Sequence, residues 1–368
     1  MRILVYGMST NKLGGIETFL LNMKNYMGDD CIFDYVIEGD SCIHKDAIEN
    51  KDGKIYFIPP KRQMLLKNIL SWYTLLKQKN FTWRIVYFNM YSLSYSFPIF
   101  LCKLLGYKVA VHSHTNNLHD CGVLLKGLHG FNKHVLRLCK IKRLTNSKLS
   151  SAFMFGNPDA GEMIYNAINV ECFKFNSEVR NKIRQQYRME GKTVFGFVGR
   201  IVFEKNPLFL IDIFNEILKI NEDSVLMIAG DGDLMPEVKA KVKEYGIEDS
   251  VLLLGPCRNV EELYQAMDLF ILPSRFEGLG IVLIEAQTAG LPCLTSAEVV
   301  PPEVKVTDLL SYVPLKNNPE EWAKKAFQKL NSVTHDRLQG YEKIKEGNFN
   351  ITKESWRLEK ILCNYGNN

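Results

Sequence analysis

One pattern constrains the fold of this chain more than any other, and it occurs in two series: a short apolar run, a polar loop containing glycine, then a stretch of helical periodicity. Met1 to Gly7 (MRILVYG) is such a run, a loop follows to Gly15, and Ile16, Phe19, Leu20 and Met23 then share one helical face. Further strands are expected at Phe33 to Glu38, Lys54 to Ile58, Arg84 to Asn89 and Lys108 to His112, separated by amphipathic segments such as Leu65 to Lys79. The second series runs through Val194 to Val198, Ser224 to Ala229, Val251 to Leu254, Leu269 to Leu272 and Pro292 to Thr295. Strands that alternate with helices imply a parallel, doubly wound sheet, so two series imply an α/β protein with two Rossmann-like domains.

A length of 368 residues suits two domains of common size. The polar stretch Asn166 to Asn176 reads as their connection, with a hinge near residue 170, and Thr352 to Tyr365 reads as a helix carrying Trp356 and Leu358. The expected division is 1–169, 170–350 and a terminal helix, 351–368, packing back toward the first domain. Open parallel sheets bind ligands beyond the carboxyl ends of their strands, so two facing sheets would enclose a central cleft with a ligand on each side. A two-substrate enzyme is the natural reading.

Composition narrows the class. The chain is 46% hydrophobic and 24% charged with no low-complexity tract, which excludes a disordered or fibrous protein. The opening apolar run is too short for a signal-peptide core, and Tyr91 to Gly106 is interrupted by Pro98 and Lys103, short of the roughly 20 apolar residues a spanning helix needs. Nine cysteines without a Cys-x-x-Cys pair suggest neither a disulfide framework nor a zinc site, so a reducing cytoplasm is expected.

Charge is unevenly spread. Residues 1–170 hold 21 Lys/Arg against 12 Asp/Glu, a net +9, and the remainder holds 25 against 29, a net −4. From Lys61 to Lys148, 15 Lys/Arg face the single carboxylate Asp120, a net +14 in a stretch that also contains Trp72, Tyr73, Phe81 and Trp83. Such a face attracts polyanions, either an anionic membrane leaflet at about 1 kcal/mol per well-placed cation or nucleic acid; a solvated face without a partner is the alternative. No nucleic-acid-binding motif accompanies it. The expectation is a cytoplasmic protein, peripheral at the inner face of the plasma membrane.

Three segments of the second series could carry chemistry. In Pro273 to Leu291 (PSRFEGLGIVLIEAQTAGL) a strand runs into a turn with Glu277, Gly278, Leu279 and Gly280, then a helix carrying Glu285, expected two turns in. The glycines allow close backbone approach, the helix start offers free N–H groups, and a carboxylate at 285 can accept two hydrogen bonds from ribose hydroxyls. Alternatively Glu277 caps the helix and Glu285 faces solvent, although a Glu inside the apolar run IVLIEA needs the cleft or a partner. Gly199-Arg200 and Glu204-Lys205-Asn206 put two cations on one loop, able to neutralise a diphosphate leaving group. Gly230-Asp231-Gly232-Asp233 follows a strand, and its glycines would permit a nucleotide's close approach. A metal role for Asp231 and Asp233 is rejected, because this turn joins a strand to an amphipathic helix within a Rossmann-like unit.

In that order, Gly199-Arg200 with Lys205-Asn206, Gly230-Asp231-Gly232, and Glu277 with seven residues before Glu285, the chain resembles the family 4 retaining glycosyltransferases of the GT-B fold. The bacterial capsule, exopolysaccharide and O-antigen branch is the nearest in kind, through VHSHTN (111–116), TNS (145–147) and YNAIN (165–169). The resemblance implies a retaining, metal-independent hexosyltransferase with no cofactor. A nucleotide-sugar, UDP-linked, would be the co-substrate, and a saccharide or lipid-linked saccharide the acceptor.

It implies that Arg200 and Lys205 hold the donor diphosphate, with Gly14 and Gly15 near it, that Glu285 holds the ribose, and that Glu277 and the backbone after it hold the sugar. It also implies a histidine near the reacting carbon. His112 and His114 both qualify, alternation putting them on one side of an extended segment. Where relatives read Pro-Asn-Gly-Ile-Asp this chain has YNAIN, which leaves the donor set intact. A nucleotide-sugar epimerase or hydrolase of similar fold, and a non-catalytic partner subunit of a transferase, remain the competing readings.

Overall fold

The computed structural model describes residues 1–11, 14–78, 82–115, 122–332 and 336–367. The chain divides into two compact units, Met1–Ala167 with Ile351–Asn368, and Ile168–Asn350.

The first unit is built on a seven-stranded sheet: β1 (Arg2–Tyr6), β2 (Ile32–Glu38), β3 (Ile55–Ile58), β4 (Ile85–Met90), β5 (Lys108–Ser113), β6 (Lys142–Thr145) and β7 (Glu162–Met163). Its order is β3-β2-β1-β4-β5-β6-β7, and every pairing is parallel. Helices cover both faces, so β1 is apolar at successive positions rather than at alternate ones. Ile3 and Val5 face a core with Ile16, Phe19, Leu20 and Leu358, while Leu4 and Tyr6 face another with Trp72, Ile99 and Leu136.

The second unit repeats the plan with six parallel strands: β8 (Thr193–Val198), β9 (Ser224–Ala229), β10 (Val251–Gly255), β11 (Leu269–Leu272), β12 (Cys293–Ser296) and β13 (Leu310–Val313). The order β10-β9-β8-β11-β12-β13 again runs outward in both directions from its first strand, as in the doubly wound nucleotide-binding folds. Each strand expected from the sequence forms; β6, β7 and β13 were not anticipated. The helix expected over Leu65 to Lys79 ends at Lys77, and Lys79, Phe81, Asn116 and Asp120 lie outside the described residues.

Helix Ile351–Asn367 belongs to the first unit. Ser355 donates to the Tyr26 carbonyl, Glu359 accepts from the Gly28 N–H at 2.9 Å, and Glu354 accepts from the Tyr165 N–H at 2.7 Å. Its buried Leu358 and Leu362 enter the core, whereas Trp356 is exposed.

Candidate functional site

In an open parallel sheet the strand order reverses at one place, and the loops leaving the two strands there diverge to open a crevice. In the second unit that place lies between β8 and β11. The loops leaving them hold Arg200, Lys205 and Glu277, so topology brings together residues more than seventy positions apart.

The two loops are bound to each other. The N–H groups of Arg275 and Phe276 donate to the Glu204 carbonyl at 2.7 and 3.2 Å. Arg275 Nε donates to Asn206 Oδ1 at 3.0 Å, and its guanidinium lies 4.6 Å from the Phe203 ring centroid. Asn206 makes this turn in the left-handed region, at φ +56°, directly before helix Pro207–Ile220; Asn is one of the few side chains that tolerates it. Lys205 Nζ pairs with Glu277 Oε1 at 2.5 Å, and Ser274 Oγ donates to the same oxygen at 2.8 Å. Glu277 therefore does not cap the following helix; Gly280, at φ +83°, is the N-cap residue. Arg200 is exposed and makes no hydrogen bond or ion pair among the described residues, leaving it the available cation of the pair.

Gly278 and Leu279 complete this turn, Leu279 buried. Helix Ile281–Thr288 begins later than expected, so Glu285 sits about one turn in rather than two. Glu285 is only partly exposed, and it has a partner that sequence reasoning missed: the hydroxyl of buried Tyr264 donates to its Oε2 at 2.8 Å. Burial pushes the Glu285 carboxyl up to about 7, with the Tyr264 hydrogen bond pulling the other way.

Gly230 and Gly232 lie where two loops pack closely. A Cβ on Gly230 would stand 1.8 Å from the Gly199 carbonyl oxygen, and one on Gly232 would stand 2.5 Å from that of Ile201. The space these glycines open is filled by the neighbouring loop, through Gly199 N–H to Ala229 O at 3.0 Å and Ile201 N–H to Asp231 O at 2.9 Å. They join the loops after β8 and β9. Among the described residues no three His, Cys, Asp or Glu side chains cluster as a metal site would require.

In the first unit the corresponding reversal lies between β1 and β4. A cavity of about 480 Å³ opens there, lined among others by Tyr6, Ser9, Glu17, Glu38, Lys61 and Asn89. Gly14 precedes helix Gly15–Tyr26, and Glu17 reaches back to accept from the N–H groups of Gly14 and Ser9 at 3.0 and 2.7 Å. Gly15 has open space where a side chain would stand.

His112 ends deep in β5, and His114 follows the strand; both are buried, with ring centroids 4.1 Å apart. His112 Nδ1 is hydrogen-bonded to the Tyr87 hydroxyl at 2.6 Å, and His114 Nε2 donates to Asn89 Oδ1 at 2.8 Å. Burial lowers His114 to about 3, and burial with the neighbouring His114 holds His112 well below the usual histidine range, so both rings are neutral. Among the described residues, four atoms here are buried without a hydrogen-bond partner: His112 Nε2, His114 Nδ1, Asn89 Nδ2 and Asn146 Oδ1. Unsatisfied groups are uncommon in native interiors and concentrate where a ligand completes the set. The sequence signalled the histidines, but not Asn89 or Asn146.

A second cavity, about 500 Å³, lies at the amino-terminal edge of the second sheet, beside Arg180, Thr193, Asp268 and Arg337. Its cations are engaged in structure. Arg180 and Arg184 each reach one oxygen of Asp268 at 2.5 Å, and with Arg337 they hold the carbonyls of Tyr264, Gln265, Ala266 and Met267. These carbonyls end helix Val260–Ala266, so the arginines cap it.

Residues 179–346 match the family described as glycosyl transferases group 1. The chain is 26% identical over 305 residues to the putative glycosyltransferase EpsF of Bacillus subtilis, covering 77% of this chain and 76% of that one. It is 33% identical over 149 residues to the UDP-Gal:alpha-D-GlcNAc-diphosphoundecaprenol alpha-1,3-galactosyltransferase of Escherichia coli, an alignment spanning 39% of this chain and 38% of that protein. Among solved structures, Anabaena Alr3699/HepE in complex with UDP superposes with a TM-score of 0.80 at 17% identity, over 99% of this chain and 100% of that one. With its two parallel-sheet units the chain has the GT-B fold, and its residues 179–346 are similar to the group 1 glycosyltransferases.

Proposed function

We propose that this glycosyltransferase transfers a hexose from a UDP-sugar, with retention of anomeric configuration and without a metal, to a saccharide acceptor in bacterial surface polysaccharide synthesis. The observation that carries this reading is the convergence at the β8–β11 reversal of a free Arg200, the Lys205–Glu277 pair and a half-buried Glu285. Arg200 and the helix start after Gly280 neutralise charge growing on the departing diphosphate, a role that needs no metal ion. The Glu285 oxygen not engaged by Tyr264 accepts from the ribose, and Glu277, held by Lys205 and Ser274, receives hydroxyls of the sugar. Neutral His112 and His114 suit hydrogen bonding to an uncharged sugar better than proton transfer at neutral pH.

The departing phosphate helps take the acceptor's proton, so no protein nucleophile is needed. The HepE complex with UDP and the E. coli UDP-Gal enzyme support the choice of nucleotide. The latter's diphosphoundecaprenol acceptor, with the basic stretch 61–148, supports a lipid-linked acceptor met at the anionic inner face of the plasma membrane by a cytoplasmic protein. Among the described residues no helix is long and apolar enough to cross a membrane.

Thermal shift with UDP, GDP, ADP and their sugar conjugates, on wild type and Glu285→Ala, tests the proposal. The expected result is a stabilisation selective for UDP compounds that the variant loses. No shift with any nucleotide sinks the donor site, and turnover of the donor at full rate without acceptor replaces transfer by epimerase or hydrolase chemistry.

A further inference from the structure

Helix Ile351–Asn367 turns Ile351, Ser355, Leu358 and Leu362 inward, and one large side chain on it does the opposite. Trp356 is 56% exposed, while the other three tryptophans, Trp72, Trp83 and Trp322, are buried. A single exposed ring is ordinary, but this one is held in place and faces a second. Lys360 Nζ stands 3.5 Å from its ring centroid, a cation–π contact one helical turn along. Tyr26, the last residue of helix Gly15–Tyr26, is 39% exposed, and its carbonyl accepts from Ser355, the neighbour of Trp356. Between the two rings lies a cavity of about 530 Å³, lined by Tyr26, Thr352, Lys353, Trp356 and Arg357. Small-ligand sites span roughly 300–1,000 Å³.

The chemistry of the lining selects an occupant. Its apolar walls are aromatic, and no aliphatic side chain lines it. An aromatic face carries negative quadrupole charge, which suits the polarised C–H bonds on the flat side of a pyranose ring. The rim is cationic, through Lys353, Arg357 and Lys360. The helix's carboxylates near these cations are engaged elsewhere: Glu354 accepts from the Tyr165 N–H and Glu359 from the Gly28 N–H. Arg357 donates to the Met163 carbonyl, which leaves its charge in place. A stable protein interface takes about 20 to 30 residues a side, so a lining of five residues fits a few sugar rings better than a folded partner.

We propose that this cavity is a second saccharide site, taking a stretch of acidic glycan whose pyranose rings stack on Trp356 and Tyr26 while its carboxylates meet Lys353 and Lys360. It stands apart from the histidine site. Helix Gly15–Tyr26 begins at the β1–β4 reversal and ends at this cavity, a run of about 17 Å. The role of the site rests on the polysaccharide-building function proposed above. A chain held here is kept near the enzyme at raised effective concentration, so long acceptors are favoured over short ones.

Because Trp356 is the one exposed tryptophan, acrylamide quenching of tryptophan emission in the full chain reads this site directly. Polygalacturonate is expected to protect the emission saturably. Neutral dextran, which lacks carboxylates, and polyglutamate, which lacks pyranose rings, are expected to leave quenching unchanged at the same concentration. Tyr26→Ala keeps the reporter and removes one wall, and should raise the half-saturating concentration roughly three- to tenfold. Lys353→Gln with Lys360→Gln should abolish the preference for polygalacturonate over dextran. The replaced side chains are exposed, so a normal melting curve verifies the fold of each variant. Protection by polyglutamate equal to that by polygalacturonate would overturn stacking, equal protection by dextran would overturn the acidic preference, and no protection by any of the three would overturn the site. The thermal shift with nucleotides fails or holds independently: its loss with protection intact would sink the transferase reading and leave a glycan-binding site.

Discussion

Because burial pushes the Glu285 carboxyl up to about 7, against about 4.3 for an unfolded glutamate, the native chain holds more protons in the window between these values. Stability of the unliganded protein from this group therefore falls as pH rises from about 4.3 to 7 and levels off above. In the donor site proposed above, ribose hydroxyls would donate to the ionised form, so stabilisation by UDP is expected to grow as pH rises through about 7. The Tyr264 hydrogen bond favours the ionised form, and Tyr264→Phe should move the midpoint of that growth upward. Thermal shift with UDP between about pH 5 and 9 checks both; a response flat in pH, or identical in the variant, sinks the assignment. Glycines at the site separate structure from ligand. Gly230→Ala, at φ +141° and 1.8 Å from the Gly199 oxygen, should cost about 3 kcal/mol or more by denaturant midpoint. Gly15→Ala meets nothing within 4 Å and should change stability by less than about 1 kcal/mol. Weakened nucleotide binding in the Gly15 variant would then report contact with the donor.

At the scale of elements, helix Val260–Ala266 depends on side chains from two distant parts of the chain. Arg337 is only partly exposed, and desolvation with nearby Arg180 lowers it to about 9; four backbone carbonyls nevertheless hold it. Arg337→Ala should destabilise the second unit by about 2–4 kcal/mol. Because Tyr264 sits in that helix, the variant should also weaken UDP binding; a variant that melts early but binds normally would uncouple the two. Elements differ in how plainly the sequence announces them. Strands β1 and β8 are continuous apolar runs because both their faces are covered, and they were readable for that reason. Strand β6 (KRLT), the two residues of β7, and β13 (LSYV) are short, half-exposed and toward a sheet edge, so no periodicity marks them. The loops with Arg200, Lys205 and Glu277 were readable from glycines and charge. Tyr264 and the arginine cap were not, since residues 21 to 88 positions apart meet only through packing.

For the whole molecule, the informative feature is that the first unit is made of two separated pieces of chain, 1–167 and 351–368. Helix Ile351–Asn367 supplies Ile351, Leu358 and Leu362 to a core it shares with β1, β2 and helix Gly15–Tyr26. Its Arg357 donates to the carbonyl of Met163, the last residue of β7. Removing 351–368 should therefore split a single melting profile into two: the second unit near its normal temperature and the first well below it or absent. Calorimetry of the truncated chain decides this, and a uniform small decrease would mean the helix is peripheral to that core.

The same arrangement reaches back into synthesis. Residues 168–350 emerge from the ribosome as one contiguous block and can close their sheet at once, while 1–167 must wait for a helix translated after them. The usual vectorial order, in which the amino-terminal domain folds first, is inverted here. Through much of translation the half-built first unit leaves Ile85, against which Gly366 packs in the finished fold, uncovered, and this is the window in which its apolar surface meets solvent.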